Sequence, residues 1–361
     1  MTPAIFGLSG LTLTDDERAF FRDADPAGYI LFGRNVQDRA QLRALTDALR
    51  EIHGRARLLI TIDQEGGRVC RMKPPEWPVY PAGEAFDRLY ELAPASAIEA
   101  ARANAEALGH DLAEVGITCT HAPVLDVRQS GAHDVIGDRA YGSEPMRVAA
   151  IGRAVLDGLE RAGICGTIKH MPGHGRSMVD THKELPTVTA SEAELEVDIA
   201  PFKALADAPM AMTGHLVFTA WDADHPATQS PTVIERVIRQ RIGFGGLLLT
   251  DDLDMEALSG TVPDRAAAAV AAGCDIALNC WGRMPDMVGI AARLPVILDP
   301  DPASHDDMPS NTTARTNSAC AGAAASKASR PPAVSVTTAA RRSSAEPDRS
   351  TRPRARMRAN W

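Results

Sequence analysis

The feature that most constrains the fold is an alternation of short apolar runs with longer segments of helical spacing. Eight runs predict strands: Ala4–Leu8, Gly28–Phe32, Arg57–Ile62, Ile117–Pro123, Ile164–Lys169, Met210–Leu216, Gly246–Thr250 and Asp275–Asn279. Apolar spacings of about 3.6 residues predict helices between them: Asp38–His53, Ala97–Val115, Glu144–Ala162, Ala190–Ala206, Pro231–Arg241 and Pro263–Ala272. Acidic residues after Thr14 and Ser191 indicate two helix starts. This alternation indicates parallel strands joined by crossover helices.

Eight strand–helix units favour an α/β fold with a single (β/α)8 TIM-type barrel over residues 1–298. A doubly wound open sheet is the competing interpretation. It is disfavoured because no Gly-x-Gly-x-x-Gly follows a strand and no Gly-Lys-Ser/Thr phosphate loop occurs. In a barrel the carboxyl ends of all strands surround one mouth. We therefore expect one pocket among the polar residues at these ends: Asp63, Asp126, Lys169, His170, His215, Asp251, Asp252 and Asn279.

The character of the chain changes after Leu298. Residues 299–361 contain no Leu, Ile, Phe or Tyr and are rich in Ala, Ser, Thr, Pro and Arg. Such a segment buries too little apolar surface to offset the entropy of ordering. We predict a low-complexity, disordered basic tail, and a shifted reading frame is an alternative origin for it.

Charge and composition limit the partners. The formal net charge is −9, but residues 308–361 hold ten bases and two acids, which leaves 28 bases and 45 acids elsewhere. An acidic body of this kind disfavours nucleic acid and anionic membranes. The N-terminus lacks a basic region followed by a long apolar core, so we expect a cytoplasmic protein. Six scattered cysteines without a Cys-x-x-Cys pair predict reduced thiols, and we expect a monomer or weak dimer.

An aspartate follows the seventh predicted strand. In Leu247–Met255, a buried strand would deliver Asp251 to the barrel mouth, where a carboxylate can act as nucleophile, base or metal ligand. The competing interpretation is helix capping. We favour a functional role for Asp251 and a capping role for Asp252 and Asp254.

Charged residues also surround a tight turn after the third predicted strand. Asp63 precedes the paired glycines Gly66 and Gly67, and Arg68 and Arg71 follow them. Asp and Arg side chains both hydrogen-bond sugar hydroxyls, and Arg does so as a planar fork. A structural ion pair is the alternative for Asp63 and for Arg68.

The densest cluster of titratable groups follows the fifth predicted strand. Lys169-His170-Met171-Pro172-Gly173-His174-Gly175 is followed closely by Asp180-Thr181-His182. An aspartate that accepts an imidazole N–H fixes the tautomer, so that the other ring nitrogen can transfer a proton. We predict that Asp180 orients His182 for this purpose, and that His174 shapes the loop.

These motifs resemble those of glycoside hydrolase family 3, and more narrowly of its NagZ-type β-N-acetylglucosaminidases. The resemblance covers about residues 4–290 and rests on four motifs in the same order. The motifs are the Lys169–Gly175 segment with Asp180–His182, Ile62–Val69, Val135–Arg139 and Thr250–Leu253. Met171 departs from the family pattern, which has an aromatic residue there, and the tail after Leu298 does not resemble the family's terminal helices.

The resemblance implies a retaining hydrolysis in a TIM-type barrel. By this likeness Asp251 is the nucleophile, and His182, oriented by Asp180, is the acid and base. The sugar would be held by the residues that match the family's binding positions: Asp63, Arg71, Arg139, Lys169 and His170. The implied substrate is GlcNAc linked to anhydro-N-acetylmuramic acid, with or without peptide, and no cofactor or metal is implied.

Two other functions remain open on the residues alone. His170, His174, Asp180 and His182 could bind Zn²⁺, with Asp251 as a further ligand, in a metal-dependent barrel hydrolase. Alternatively, the pocket could bind saccharide without turnover.

Overall fold

The computed structural model describes residues 1–55, 57–179 and 184–297. Eight strands within these ranges close a parallel barrel in the order β1-β10-β9-β7-β5-β4-β3-β2, while β6 and β8 form a separate pair. The strands are β1 (Thr2–Gly7), β2 (Pro26–Leu31), β3 (Leu59–Ile62), β4 (Cys119–Thr120), β5 (Cys165–Met171), β6 (Thr187–Val188), β7 (Met210–Thr213), β8 (Val217–Phe218), β9 (Leu247–Asp252) and β10 (Ile276–Asn279). The predicted (β/α)8 barrel is confirmed, and the open-sheet alternative is wrong. The predicted tail, residues 299–361, lies outside the described residues.

Helices surround the barrel: α1 (Asp15–Ala24), α2 (Arg39–His53), α3 (Gly83–Leu92), α4 (Pro94–Glu114), α5 (Pro145–Arg161), α6 (Glu192–Ala204), a π-helix (Val233–Ile242), α7 (Val262–Ala272) and α8 (Met284–Arg293). Short 3-10 turns occur at Gly33–Asn35, Gly137–Arg139 and Ala227–Gln229. The six predicted helices lie within three residues of their predicted bounds, whereas α3 and α8 were not predicted. No helix in the described part of the chain is long and apolar enough to cross a membrane.

Two helix starts show why the chain folds locally as predicted. Thr14 accepts the backbone N–H of Glu17, and the Glu17 side chain accepts the backbone N–H of Thr14. Ser191 and Glu194 form the same reciprocal pair at the start of α6. Such capping boxes satisfy backbone donors that a helix N-terminus leaves free.

Apolar side chains fill both faces of the barrel strands. Leu247 and Leu249 belong to the cluster inside the barrel, whereas Leu248 packs in the layer between strands and helices. Met210 and Met212 lie inside in the same way. Because both faces of a barrel strand are buried, such strands have nearly continuous apolar sequences. The thiols of Cys119 and Cys280 are part of this interior.

The same alternation carries charged side chains to the top of the barrel interior. Asp63 lies two residues beyond Thr61 of β3, and Lys169 lies two beyond Thr167 of β5. Asp251 lies two beyond Leu249 of β9. Side chains two apart on a strand point to the same face, and Asp63, Lys169 and Asp251 all line one cavity. Strand periodicity therefore positions three of the predicted site residues.

The interior packing beneath the cavity can be tested with Leu249→Ala. Leu249 is fully buried, so its truncation should lower the free energy of unfolding by about 2–5 kcal/mol, through lost apolar burial and a residual cavity. Chemical denaturation measures the change. Leu92→Ala is the matched control, because Leu92 is 84% exposed, and it should change stability by less than about 0.5 kcal/mol. Equal losses in the two variants would contradict the described core.

Candidate active site

A cavity of about 170 Å³ opens where the carboxyl ends of the barrel strands meet. Six of the eight residues that the resemblance assigns to catalysis or sugar binding line the cavity: Asp63, Arg71, Arg139, Lys169, His170 and Asp251. Asp180 and His182, the predicted acid–base pair, lie outside the described residues. Apolar side chains such as Ile30, Phe32 and Met212 complete the wall. Charged and apolar surfaces thus share one concave site, as is typical of ligand pockets.

A buried lysine links two carboxylates on one side of the cavity. The Lys169 ammonium lies 2.6 Å from a carboxylate oxygen of Glu65 and 3.2 Å from one of Asp63. Lys169 is only 2% exposed. A buried ammonium needs such partners because burial removes the water molecules that would otherwise solvate its charge.

Two arginines complete the same network. Arg139 donates from Nε and Nη2 to the two oxygens of Glu65, both at 2.8 Å. Arg71 donates to Asp63 at 3.1 Å and stacks over the Phe32 ring. We call Asp63, Glu65, Lys169, Arg71 and Arg139 the mouth network. The ion pair proposed as an alternative for Asp63 is therefore present, although Asp63 also lines the cavity.

The mouth network keeps its carboxylates ionised. Burial raises the pKa of Asp63, but Lys169 and Arg71 lower it more, so that it lies well below its ordinary value. For Glu65, burial is likewise outweighed by Arg139 and Lys169, and the pKa falls to about 2. Both groups are therefore acceptors near neutral pH, and neither can donate a proton there.

A fully buried aspartate fixes the loop that begins at β5. Asp126 accepts Nδ1 of His170 at 2.6 Å and the backbone N–H groups of His170 and His174 at 3.2 and 2.7 Å. Burial raises the pKa of Asp126, but His170 lowers it by more, so that the pKa falls to about 2. Because Nδ1 of His170 is engaged, its Nε2 is the ring nitrogen available to the cavity.

Asp251 provides a carboxylate at the end of β9. Its Oδ1 accepts the backbone N–H of Asp252 at 2.8 Å. Burial raises its pKa, whereas His170, His215 and Lys169 lower it, and the net pKa lies below the ordinary value. An ionised carboxylate that is partly open to a cavity can act as a nucleophile.

The chain is similar to known proteins of one family. Residues 7–295 match the family described as Glycosyl hydrolase family 3 N terminal domain. The chain belongs to glycoside hydrolase family 3. It is 40% identical over 321 residues to a beta-hexosaminidase of Alkalilimnicola ehrlichii, and the alignment covers 84% of this chain and 86% of the relative.

Solved structures of the family are similar as well. Native NagZ from Neisseria gonorrhoeae aligns with a TM-score of 0.76 and 32% identity over 84% of this chain and 87% of that one. NagZ of the same organism in complex with N-trifluoroacetyl-D-glucosamine aligns with a TM-score of 0.73 and 32% identity, over 81% and 88% of the two chains. The fold and the family predicted from the motifs are therefore confirmed.

Two acidic residues of this family 3 chain do not act as predicted. Asp252 and Asp254 were expected to cap the helix after β9, but α7 begins later and is capped by Thr261. Asp252 instead accepts the backbone N–H groups of Asp254 and Cys280. Burial and the carboxyl of Asp254 raise the pKa of Asp252 well above its ordinary value. The side chain shapes the end of β9.

The contacts assign structural roles to His215, which was expected in the pocket, and to Arg68. His215 is fully buried and bonds to Thr228 Oγ1 and to the Asp252 carbonyl oxygen, so it is a buried partner. Arg68 binds Asp138 and the carbonyl oxygens of residues 134 to 136, so it is structural. It stabilises the segment that precedes Arg139.

Sequence reasoning missed the roles of Glu65 and Asp126. Glu65 stands two residues after Asp63, so strand periodicity could have suggested the same orientation. Asp126 stands alone within the apolar segment Val124–Val127, and an isolated acid in such a segment signals a buried hydrogen-bond acceptor. Neither signal says which cations or histidines are bound.

The metal alternative draws no support from the described part of the chain. Its residues contain no group of three or more His, Cys, Asp or Glu that could hold a metal ion. Asp180 and His182, two of the suggested ligands, lie outside it. His170 instead uses Nδ1 to bond Asp126.

The role of Asp126 can be tested by acid unfolding of Asp126→Asn. A carboxylate whose folded pKa is about 2 rather than 3.8 contributes stability that is complete above the ordinary value and is lost as pH falls toward 2. The substitution should lower the free energy of unfolding by on the order of 2 kcal/mol at pH 7. It should also flatten the pH dependence of that free energy between about pH 4 and 2. Denaturant titrations at several pH values measure both effects.

Asp207→Asn provides the matched control, since it makes the same chemical change in an exposed pair with Arg153. This substitution should lower the free energy of unfolding by less than about 1 kcal/mol. A wild-type slope of stability against pH in Asp126→Asn would count against the described contacts.

Proposed function

We propose that this chain is a retaining exo-β-N-acetylglucosaminidase that removes terminal β-linked GlcNAc. The observation that carries the proposal is the ionised Asp251 carboxylate facing the same cavity as the mouth network. Further support comes from the family: its relative from Alkalilimnicola ehrlichii is described as a beta-hexosaminidase, and NagZ from Neisseria gonorrhoeae binds N-trifluoroacetyl-D-glucosamine.

The mouth network offers the polar groups that a sugar ring requires. Asp63 supplies acceptors for hydroxyl protons, while Lys169 and Arg139 supply donors for hydroxyl or acetamido oxygens. His170 presents Nε2 from the neighbouring position on β5. The apolar wall formed by Ile30 and Met212 suits the C–H faces of a pyranose. We assign these residues, with Arg71, to glycon binding.

The proposed reaction has two steps. In the first, an Asp251 oxygen attacks the anomeric carbon and the glycosidic C–O bond breaks, while His182 protonates the leaving oxygen. In the second, water attacks the anomeric carbon and transfers a proton to His182, and the bond to Asp251 breaks. Two displacements retain the anomeric configuration.

A histidine suits the acid–base role next to Asp251. Imidazole titrates near pH 6.5 in its ordinary state, so it can donate in the first step and accept in the second near neutrality. As a base it is uncharged, which avoids repulsion with the Asp251 carboxylate. Asp180 would fix its tautomer by accepting the other ring N–H.

The proposed substrate is GlcNAc joined to anhydro-N-acetylmuramic acid, with or without a peptide, in a cytoplasmic cell-wall recycling pathway. The likeness to NagZ supports this choice. Incubation with GlcNAc-anhydromuramyl peptides, followed by mass spectrometry, tests it directly. We expect release of GlcNAc. If the muramyl substrate stays intact while an aryl β-N-acetylglucosaminide is cleaved, the proposal holds for the GlcNAc unit but not for this leaving group.

Asp251→Ala should reduce hydrolysis of an aryl β-N-acetylglucosaminide by several orders of magnitude, because the covalent intermediate cannot form. Steady-state kinetics measures the loss, and a fluorosugar trap should label the wild-type peptide that contains Asp251. Asp224→Ala, at an exposed aspartate, should retain wild-type rates. A label on another residue would refute the nucleophile assignment.

His182→Ala should slow substrates with poor leaving groups more than substrates with activated ones, because only the former need protonation of the leaving oxygen. A series of aryl glycosides with leaving groups of different pKa measures the difference. The variant should show a steeper dependence of kcat/KM on leaving-group pKa than the wild type. Equal losses across the series would contradict proton donation by His182.

A further inference from the structure

Glu65 lines the cavity beside Lys169 and Arg139, and its carboxylate binds both of these cations. We propose that Glu65 is a positioning residue that holds Lys169 and Arg139 in the orientation in which they receive the glycon. The inference rests on the proposed function, because it assigns a task in the binding of the same sugar.

The contacts of Glu65 join the two cations through one carboxylate. Oε1 accepts Lys169 Nζ at 2.6 Å and Arg139 Nη2 at 2.8 Å, while Oε2 accepts Arg139 Nε at 2.8 Å. Paired N–H donors on a carboxylate restrict the guanidinium in both distance and plane. The side chain of Glu65 is only 6% exposed, so its charge is directed to these cations.

The backbone around Glu65 is equally constrained. The Glu65 N–H donates to the Val69 carbonyl oxygen at 2.9 Å, which closes a turn through Gly66 and Gly67. Both glycines have positive φ, +105° and +57°, and a Cβ at Gly66 would lie 2.1 Å from the Pro81 carbonyl oxygen. The turn therefore requires glycine, and it sets the carboxylate in one place.

Within the described residues, this arrangement assigns the donors of both cations. Two of the three N–H groups of Lys169 are directed to Asp63 and Glu65, and we assign the third to the sugar. Arg139 uses three of its five N–H groups for Glu65 and the Val135 carbonyl oxygen. Without Glu65, the neighbouring Lys169 and Arg139 would repel each other and lose these directions.

Removal of Glu65 would also change the ionisation of Lys169. Burial lowers the pKa of Lys169, but Glu65 and Asp63 raise it more, so that it lies above its ordinary value despite the nearby Arg139. Among the residues that the structure describes, Arg71, His121, His170 and Asp251 are further charged or titratable groups around Lys169. Glu65 is the strongest of the influences that raise the pKa, so without it the ammonium should lose its proton at lower pH.

The decisive experiment is Glu65→Gln, which preserves shape and removes charge. We expect KM for an aryl β-N-acetylglucosaminide to rise about 10- to 100-fold, the factor that corresponds to one misplaced charge-assisted hydrogen bond, while kcat falls less. Calorimetry with GlcNAc should show the same loss of affinity. The alkaline limb of GlcNAc affinity against pH should move to lower pH, because Lys169 would lose its proton earlier, and a loss of folded protein would not produce this shift.

Glu196→Gln is the matched control. Glu196 also binds one lysine and one arginine, Lys203 and Arg241, but on the outer surface of α6. Its KM and pH profile should equal those of the wild type. A folded Glu65→Gln variant with wild-type KM and an unmoved alkaline limb would overturn the positioning role.

Glu65→Asp covers the case in which Glu65→Gln does not fold. It retains the charge but shortens the reach, so KM should rise while the alkaline limb stays at the wild-type pH. A wild-type KM in this variant would overturn the proposal. Wild-type protein that neither hydrolyses the aryl glycoside nor binds GlcNAc would overturn the proposed function itself, and this positioning role with it.

Discussion

The site depends on the mutual compensation of five buried or partly buried charges in the mouth network. Burial of an isolated charge is costly, so each side chain remains in place only because its partners do. Two carboxylates face three cations, which leaves one excess positive charge in the network beside the Asp251 carboxylate. Asp63, Glu65 and Arg71 belong to the segment after β3, Lys169 belongs to β5, and Arg139 ends the 3-10 turn Gly137–Arg139. Closure of the barrel is what brings them together.

The part of this arrangement that follows strand periodicity could be predicted from the sequence. Side chains point alternately to the two faces along each strand, and the polar residue that continues the inward series lies at the mouth. Asp63, Lys169 and Asp251 all obey this rule, so the fold prediction carried the site prediction with it. The resemblance to family 3 assigned Arg71 and Arg139 to sugar binding, and these two residues lie beyond the strands and follow no such period.

Features set by tertiary contacts could not be predicted in the same way. The cations bound by Glu65 and the histidine loop bound by Asp126 are more than forty positions away in sequence, and no local pattern encodes these partners. Asp252 was assigned to a cap because acids often precede helices, but the chain makes a further turn before α7 begins at Val262. Asp252 instead accepts hydrogen bonds from the backbone N–H groups of Asp254 and Cys280, and these contacts replace the expected helix cap.

The electrostatics of the mouth also bear on the source of the proton. A mechanism with two carboxylates needs one that keeps its proton near neutral pH. Asp63 and Glu65 cannot do so, because cations hold their pKa values low. Asp252 has a raised pKa, but it directly follows Asp251 on β9, whereas acid and nucleophile must flank the glycosidic bond from different sides. A donor from a separate loop meets this requirement, and His182 would become neutral after donation, so that it adds no second anion beside the nucleophile.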